Sequence, residues 1–265
     1  MSHILLPAHN ASTWTGPTGN NTYLLPGAVP TLIDAGVGKP EHVAAVADAL
    51  GGRPLALVLI THRHSDHING VPALVARWPD VRVRQFGAGN EPILDGEVIA
   101  AGNGAVTAIH TPGHAADHCC FLDRPAPSSV EGPDLFCGDL ARLGGTIVIP
   151  ASRGGDLAVY LESLDRVRAL GVRQLLPGHG PVIDDPEAVI AAYVRHRRQR
   201  DAQILDVLSQ DGSSTPEHVV SRIYAGLAPI LVNAAAETVL AHLLKLAKEG
   251  RVAEHDGRWT TIPGR

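Results

Sequence analysis

Four residues that can bind a divalent metal follow one apolar run within six positions. The run is LALVLI, and the residues after it read THRHSDH, which contributes His62, His64, Asp66 and His67. On a helix, His62 and His64 would point to opposite sides, whereas an irregular loop can turn both imidazoles toward one point. A solvated loop that is rich in histidine by chance explains this density poorly. The spacing therefore predicts a metal site on a loop after a strand.

Three further stretches repeat one pattern, in which an apolar strand runs into a turn and then a ligand-type residue. The stretch AVTAIHTPGH ends with His114, the stretch DLFCGD ends with Asp139, and in LLPGHG His179 lies between two glycines. Glycine lets the backbone turn sharply and approach a ligand closely. One such residue is weak evidence, but together with the first cluster they supply five imidazoles and two carboxylates. That set is large enough for two metal ions that share one carboxylate.

These motifs resemble those of the metallo-β-lactamase superfamily, which carries HxHxDH, a lone His, a lone Asp and a second lone His in this order. The resemblance implies seven metal ligands, namely His62, His64 and His114 for one ion, Asp66, His67 and His179 for the other, and Asp139 as the bridge. It also implies that Asp34, in the stretch LIDAG, supports the site without binding metal. His118 is expected to hydrogen-bond a ligand or to line the pocket.

The ligand types indicate which metal and which reaction to expect. Imidazole and carboxylate without thiolate suit zinc best, although iron and manganese accept the same ligands. Two such ions ~3.5–4 Å apart can hold a bridging hydroxide at neutral pH and polarise a carbonyl or phosphoryl oxygen. The prediction is a hydrolase with two divalent ions that cleaves an ester, thioester or similar small-molecule bond. Asp66 is the predicted catalytic residue, which orients the nucleophile while it binds metal.

Strand and helix patterns alternate through most of the chain. NTYLL and PTLID predict a hairpin, EHVAAVADAL a helix, and LALVLI a strand buried on both faces. This order predicts a layered α/β sandwich, and the resemblance implies the αββα arrangement. After about Gln210 the order becomes helix, helix and hairpin, which is typical of a winged helix. We therefore predict a catalytic domain at 1–200 and a small winged-helix-like domain at 201–265.

The C-terminal region resembles one subgroup of the superfamily, the β-lactamase-like protein 2 group, through PGHGPVI, YVRHRRQR and the winged-helix tail. Members of this group include a single-strand-specific endoribonuclease and thioesterases of aromatic polyketide pathways. The resemblance therefore leaves an endoribonuclease, with RNA as its partner, as the alternative to a hydrolase of small molecules. A winged-helix binding module with a vestigial metal site is a further alternative, which the complete ligand set opposes.

The helix with the sequence YVRHRRQR allows two interpretations. Tyr193, His196, Arg197 and Arg200 share one face that could bind a phosphate, a carboxylate or a coenzyme A tail. We slightly favour the other interpretation, in which the helix holds the small domain through arginine–carboxylate pairs. The second helix of the winged-helix region has no basic stripe, so we expect no reading of DNA sequence. A lid over the site or a homodimer surface suits this region better.

Composition excludes several classes of protein. The net charge of −5 argues against general nucleic-acid binding, which requires cationic groups that neutralise phosphates. The N-terminal residues have no basic leader and no apolar stretch reaches ~20 residues, so we expect a cytoplasmic protein that does not contact a membrane. Three cysteines are too few for a disulfide framework, and we expect buried reduced thiols.

Overall fold

The computed structural model describes residues 2–123 and 132–262. Within them, the chain divides into two units, each built from segments that are distant in the sequence. The first comprises residues 2–111, 117–123, 132–147 and 164–189, and the second comprises residues 112–116, 148–163 and 190–262. The predicted domain boundary at residue 200 falls inside one long helix, Pro186–Asp211.

Two five-stranded sheets form the frame of the first unit. The first sheet has the order β1 (Ile4–Pro7), β2 (Asn21–Leu25), β3 (Thr31–Ile33), β4 (Leu57–Ile60) and β5 (Arg82–Gln85). The second has the order β10 (Gln174–Pro177), β9 (Asp134–Gly138), β8 (Cys119–Asp123), β7 (Gly104–His110) and β6 (Val98–Ala101). β4 pairs in parallel with both β3 and β5, which confirms that LALVLI ends in an interior strand.

Alternate side chains of the first sheet fill two different cores. Leu57 and Leu59 of β4 join a cluster that includes Phe121 and Phe136 from the second sheet, so the two sheets pack face to face. Between them, Val58 points the other way, into a second cluster. That cluster includes side chains of α1 (Pro40–Leu50) and α3 (Val71–Arg77), so these helices pack on the outer face of the first sheet. Each large apolar side chain buried in this way contributes ~1.5–3 kcal/mol.

The second unit is built around helices. α4 (Leu157–Ala169) begins in it, and α5 (Pro186–Asp211), α6 (Pro216–Ile223) and α7 (Pro229–Lys248) follow. The strands β11 (Val252–His255) and β12 (Arg258–Thr261) form a hairpin. Its two-residue turn is Asp-Gly with positive φ at both positions, the sequence that such turns favour. The core contains Ile204, Val219, Leu243 and Trp259, which confirms the predicted order of helix, helix and hairpin.

Within the described residues, the structure contains three elements that the sequence patterns did not predict, one of which is the short 3₁₀ helix Ala151–Arg153. β1 is an exposed edge strand without a clear apolar alternation. α2 (Ser65–Ile68) is a single helical turn inside the histidine cluster, closed by bonds from the amides of His67 and Ile68 to the carbonyl of His64. A single turn is too short to show helical periodicity, so Asp66 and His67 lie on a helical turn whereas His62 and His64 lie on the predicted loop.

One described helix, α7, has the length and hydropathy of a membrane span, with a mean hydropathy of 1.5 over 18 residues. Its apolar residues Val239, Leu243 and Leu246 are buried in the core of the second unit. Glu237 and Lys245 interrupt its apolar sequence. Of that window 33% is buried, so packing within the second unit covers part of this apolar sequence.

Candidate metal centre

Ends of parallel strands bring the predicted ligands of the first unit together. The loop with His62 and His64 follows β4, Asp139 follows β9, and His179 follows β10 after one glycine. The amide of Gly178 donates to the carbonyl of Gly138 over 2.9 Å, which ties the last two turns to each other. Strand ends at one edge of an α/β sheet are where such folds usually place their functional groups.

β4 belongs to the first sheet, and β9 and β10 belong to the second. Carboxylates and imidazoles alternate around one point where the ends of these strands meet. Nε2 of His179 lies 3.3 Å from Oδ2 of Asp66 and 3.3 Å from Oδ1 of Asp139. Nε2 of His67 lies 3.7 Å and 3.6 Å from the same two oxygens. One ligand atom from each of Asp66, His67 and His179 lies within 4.8 Å of the others, which is a spacing that can hold a metal ion.

A second group overlaps the first. His62, His67 and Asp139 also each offer a ligand atom within 4.8 Å of the others. Nε2 of His62 lies 2.9 Å from Nδ1 of His64, so these two imidazoles face each other as the loop prediction requires. Asp139 and His67 thus lie between His62 on one side and His179 on the other.

His114, the remaining predicted ligand, lies in Pro112–Ala116, a segment of the second unit. Its Nδ1 is 2.7 Å from the carbonyl oxygen of Val148. Because a carbonyl only accepts, Nδ1 donates, and Nε2 is then the ring nitrogen whose lone pair suits a metal.

Asp34 orients two of the imidazoles and is itself nearly inaccessible. Its Oδ2 accepts from Nδ1 of His67 over 2.7 Å, and its Oδ1 accepts from the amide of Thr61 over 2.8 Å. The hydroxyl of Thr61 also contacts Asp34 and lies 3.1 Å from Nδ1 of His62. In both histidines this arrangement leaves Nε2 directed toward the other ligands. Asp34 takes a left-handed conformation, with φ of 61°, which aspartate tolerates better than most residues.

His118 is fully buried and forms a hydrogen bond with the backbone of a predicted ligand. Its Nε2 accepts from the amide of Asp139 over 3.1 Å, while Nδ1 pairs with the hydroxyl of Thr111 over 2.8 Å. It therefore holds the turn that presents Asp139 and does not line an open pocket.

The histidines and carboxylates of this centre shift one another's pKa values in the direction of their charged forms. Burial by itself lowers the pKa of His67, but the carboxylates of Asp34 and Asp139 outweigh it and raise the pKa to about 9. Burial also lowers the pKa of His179, and Asp139 and Asp66 raise it to about 10. Burial raises the pKa of Asp66, yet the contacts with His179 and His67 dominate and hold it well below its usual range. The carboxylates thus favour positive charge at this point, which a divalent cation would supply.

Two contacts to the ligands come from residues that the sequence patterns did not single out. Thr61 sits next to the first histidine of the motif, so its position was the only signal. Asn20 reaches Asp66 across 46 positions, with Nδ2 3.1 Å from Oδ2, and no local pattern indicates such a contact.

The face of α5 predicted as a possible anion site is largely interior to the second unit. Tyr193 is 5% exposed and Arg197 is 1% exposed, with its guanidinium 5.6 Å from the ring centre of Tyr160. Arg200 is half-buried, 4.1 Å from the ring centre of Tyr224. These contacts are with aromatic rings, so they support a structural role for the helix without testing the predicted arginine–carboxylate pairs, and a role for these residues in substrate binding stays a prediction.

Two face-to-face sheets with helices outside, and histidines and aspartates gathered at the strand ends, define an α/β metallohydrolase. The model of the metallo-beta-lactamase superfamily matches residues 15–85 and 85–179, and that of the beta-lactamase associated winged helix domain matches residues 215–259. The chain therefore belongs to the metallo-beta-lactamase superfamily and is a metal-dependent hydrolase with an associated winged helix domain. The predicted fold and family resemblance are confirmed.

Named relatives are similar over most of the chain. An atrochrysone carboxyl ACP thioesterase from Aspergillus chevalieri is 34% identical over 93% of this chain and 83% of its own length. A beta-lactamase-like protein 2 homologue from Drosophila melanogaster is 33% identical over 88% of this chain and 84% of its own length. The crystal structure of a metallo-beta-lactamase family protein from Thermus thermophilus superposes with a TM-score of 0.80 at 22% identity, covering 98% of both chains.

The residues present fit a divalent metal. The two groups within the first unit supply imidazole nitrogens and carboxylate oxygens, which are the ligand types of zinc, iron and manganese. The thiols Cys119, Cys120 and Cys137 are buried, free and absent from these groups. Asp34 supplies the hydrogen-bonded carboxylate that commonly orients a metal-binding histidine.

Proposed function

We propose that this hydrolase binds two divalent ions, with zinc the best match to the ligands, and cleaves the thioester bond of a small acyl substrate. The observation that carries the proposal is the position of Asp139, whose Oδ1 lies 3.3 Å from His179 and 3.6 Å from His67. Asp139 also groups with His62. A carboxylate near imidazoles of both predicted ligand sets supports the proposal that Asp139 would be shared by two ions.

In this proposal the two ions have separate ligand sets joined by Asp139. The family motifs that the sequence carries would assign His62, His64 and His114 to one ion and Asp66, His67 and His179 to the other. Bound at this site, such ions supply Lewis-acid chemistry, because they lower the pKa of a coordinated water toward neutrality and polarise a carbonyl oxygen.

Asp66 has the properties of the residue that orients the attacking water. Its side chain is 27% exposed, against 13% for Asp139 and 4% for Asp34, so it is the carboxylate of this site that solvent reaches most easily. Its lowered pKa keeps it ionised at neutral pH. An ionised oxygen at the open side of the site can accept a hydrogen bond from water and direct it toward the substrate.

A thioester suits this site better than an amide or an ordinary ester. Contacts with His179 and His67 hold the pKa of Asp66 well below its usual range, so this carboxylate is a poor proton donor at neutral pH. A thiolate leaves with little help from an acid, because the pKa of a thiol is near ~8.5. The relative from Aspergillus chevalieri that is named as a thioesterase supports the same choice.

The test is hydrolysis by purified protein of known metal content. The substrates are an acyl-coenzyme A thioester, the matched oxygen ester and a single-stranded RNA, each with and without a chelator. His64→Ala and Asp139→Ala should abolish turnover of the thioester and lower the bound metal, with the circular dichroism of the fold retained. His255→Ala is the matched control, because this histidine lies on the hairpin and its side chain is 89% exposed.

Each outcome decides between the alternatives. Thioester cleavage that the chelator stops, with RNA left intact, supports the proposal. Chelator-sensitive RNA cleavage would make the protein an endoribonuclease instead. Full turnover in both ligand variants would exclude the metal site as the catalytic centre, and metal binding without any hydrolysis would favour a binding module.

A further inference from the structure

The side-chain amide of Asn20 lies against two of the predicted ligands. Its Nδ2 is 3.1 Å from Oδ2 of Asp66 and 3.3 Å from Nε2 of His67. The residue is 1% exposed, and its backbone forms an isolated bridge with His179. A single asparagine therefore touches all three residues of the set proposed to hold the second ion.

Asn10 determines which way this amide points. The backbone N–H of Asn20 can only donate, so Oδ1 of Asn10, at 2.8 Å, is the acceptor. The Nδ2 of Asn10 then donates to Oδ1 of Asn20 over 2.6 Å. With its oxygen engaged in this way, Asn20 must present Nδ2 to Asp66, and the amide is a donor toward the carboxylate.

Gly19 allows the two asparagines to approach each other. It has a φ of +76°, and a Cβ at this position would lie 2.6 Å from Oδ1 of Asn10 and 3.0 Å from its backbone nitrogen. A side chain there would force Asn10 away from Asn20. Thr15 adds to the same arrangement, because its hydroxyl donates to the carbonyl of Asn10 over 2.7 Å.

We propose that Asn20 is a positioning residue for metal binding, held in place by Asn10. Its amide fixes the rotamer of Asp66, so that Oδ2 stays near the imidazoles of His67 and His179 before an ion arrives. The bond also takes up a lone pair of Oδ2, leaving the rest of the carboxylate to the metal. The inference rests on the proposed function, because it concerns the second of the two proposed ions.

The experiment measures metal affinity directly and does not depend on turnover. Metal-free protein is titrated with zinc against a chromophoric chelator, for the wild type and for Asn20→Ala and Asn10→Ala. We expect Asn20→Ala to weaken one of the two binding events by about 10–100-fold, the usual effect of removing a residue that orients a ligand. Asn10→Ala should weaken the same event less, since Asn20 remains.

Asn103→Ala is the matched control, because Asn103 is an asparagine of the same unit whose Oδ1 accepts from the amide of Ala28 and not from a predicted ligand. It should bind both ions as the wild type does. Thermal unfolding and circular dichroism of the metal-free variants show whether each remains folded, and Asn10→Ala keeps the test valid if Asn20→Ala does not.

The results separate this inference from the proposed function. Unchanged zinc affinity in folded Asn20→Ala would overturn the inference, as would a lower melting temperature in both variants without any loss of affinity. Wild-type protein that binds fewer than two ions would instead overturn the two-ion proposal, whatever the variants do.

Discussion

Nδ1 of His67 lies 2.7 Å from Oδ2 of Asp34, and both side chains are buried. Because a carboxylate only accepts, this contact makes Nδ1 the donor and directs Nε2 to the neighbouring ligands. Asp34 also accepts the amide of Thr61, whose hydroxyl contacts His62. One carboxylate that binds no metal in our proposal thus orients imidazoles of both ligand sets.

Asp34→Asn should therefore weaken metal binding without removing a ligand. The amide keeps the size of the side chain, but it loses the charge and one of its two acceptors. We expect zinc affinity to fall by about 10–100-fold, with the activity at saturating zinc less affected than the affinity. Zinc titration against a competing chelator measures the change.

Asp48→Asn provides the control for that variant, because Asp48 is an exposed aspartate of α1 outside the ligand groups. Equal zinc affinity in Asp34→Asn and the wild type would show that the Asp34 contact does not orient His67 for a metal.

Gly178 gives a steric test of the same centre. A Cβ at this position would lie 2.7 Å from Cε1 of His67 and 3.1 Å from Oδ1 of Asp139. Gly178→Ala should therefore displace two predicted ligands, lower the number of ions bound and reduce hydrolysis by at least ~10-fold, the cost of about 1.4 kcal/mol in the barrier.

Gly132→Ala is the matched control, since its nearest neighbours are 3.5 Å or more from the added carbon and its φ is not in the left-handed region. It should retain its metal and its activity. Wild-type metal content in Gly178→Ala would mean that the ligands can move aside, which contradicts a rigid centre.

Local patterns predicted residues that the structure brings together at strand ends, and the reason is physical. An apolar run followed by a turn and a ligand-type residue requires only neighbours in sequence, and β4, β9 and β10 all end in this way, with a glycine before the ligand at β9 and β10 and Thr61 at β4. The contact of Asn20 with Asp66 spans 46 positions and depends on how β2 lies beside the ligand turns. No periodicity records such a contact, so Asn20 appears only in the structure.

The arginine helix shows a second limit of sequence patterns. Spacing placed Tyr193, Arg197 and Arg200 on one face, and that face exists. A helical pattern of charged residues does not show whether that face is exposed to solvent or packed against other residues. In the structure, Arg197 is 1% exposed and its guanidinium lies near an aromatic ring. Arginine is tolerated there because its flat cation can stack on an aromatic face.

The second unit contains a buried charged group that makes its stability depend on pH. Oδ1 of Asp201 lies 2.6 Å from Nδ1 of His242, and Oδ2 lies 2.9 Å from Nζ of Lys245. Burial lowers the pKa of His242 below its ordinary 6.5 despite the contact with Asp201. Burial raises the pKa of Asp201, but His242 and Lys245 outweigh this and lower it below 3.8.

Both shifts destabilise the fold in acid. A histidine with a lowered pKa binds fewer protons folded than unfolded, so its contribution is present above pH 6.5 and declines below it. The aspartate contributes above pH 3.8, and its contribution declines as the pH falls further. We therefore expect the free energy of unfolding of the second unit to decrease from about pH 6.5 downward, in urea titrations followed by the fluorescence of Trp259, with Trp14 and Trp78 replaced by Phe.

His242→Gln should reduce the decline that begins near pH 6.5, because glutamine does not titrate and can still donate to Asp201, and the part that remains comes from His196, whose pKa burial also lowers. Asp201→Asn should lower the free energy of unfolding by ~1–3 kcal/mol at neutral pH, since it removes the carboxylate that accepts from buried His242 and from Lys245, while Lys245 keeps Glu249 at 2.6 Å. His255→Ala again serves as the exposed control. A decline of the same size in His242→Gln and the wild type would assign the acid sensitivity to other histidines and contradict a neutral, buried His242.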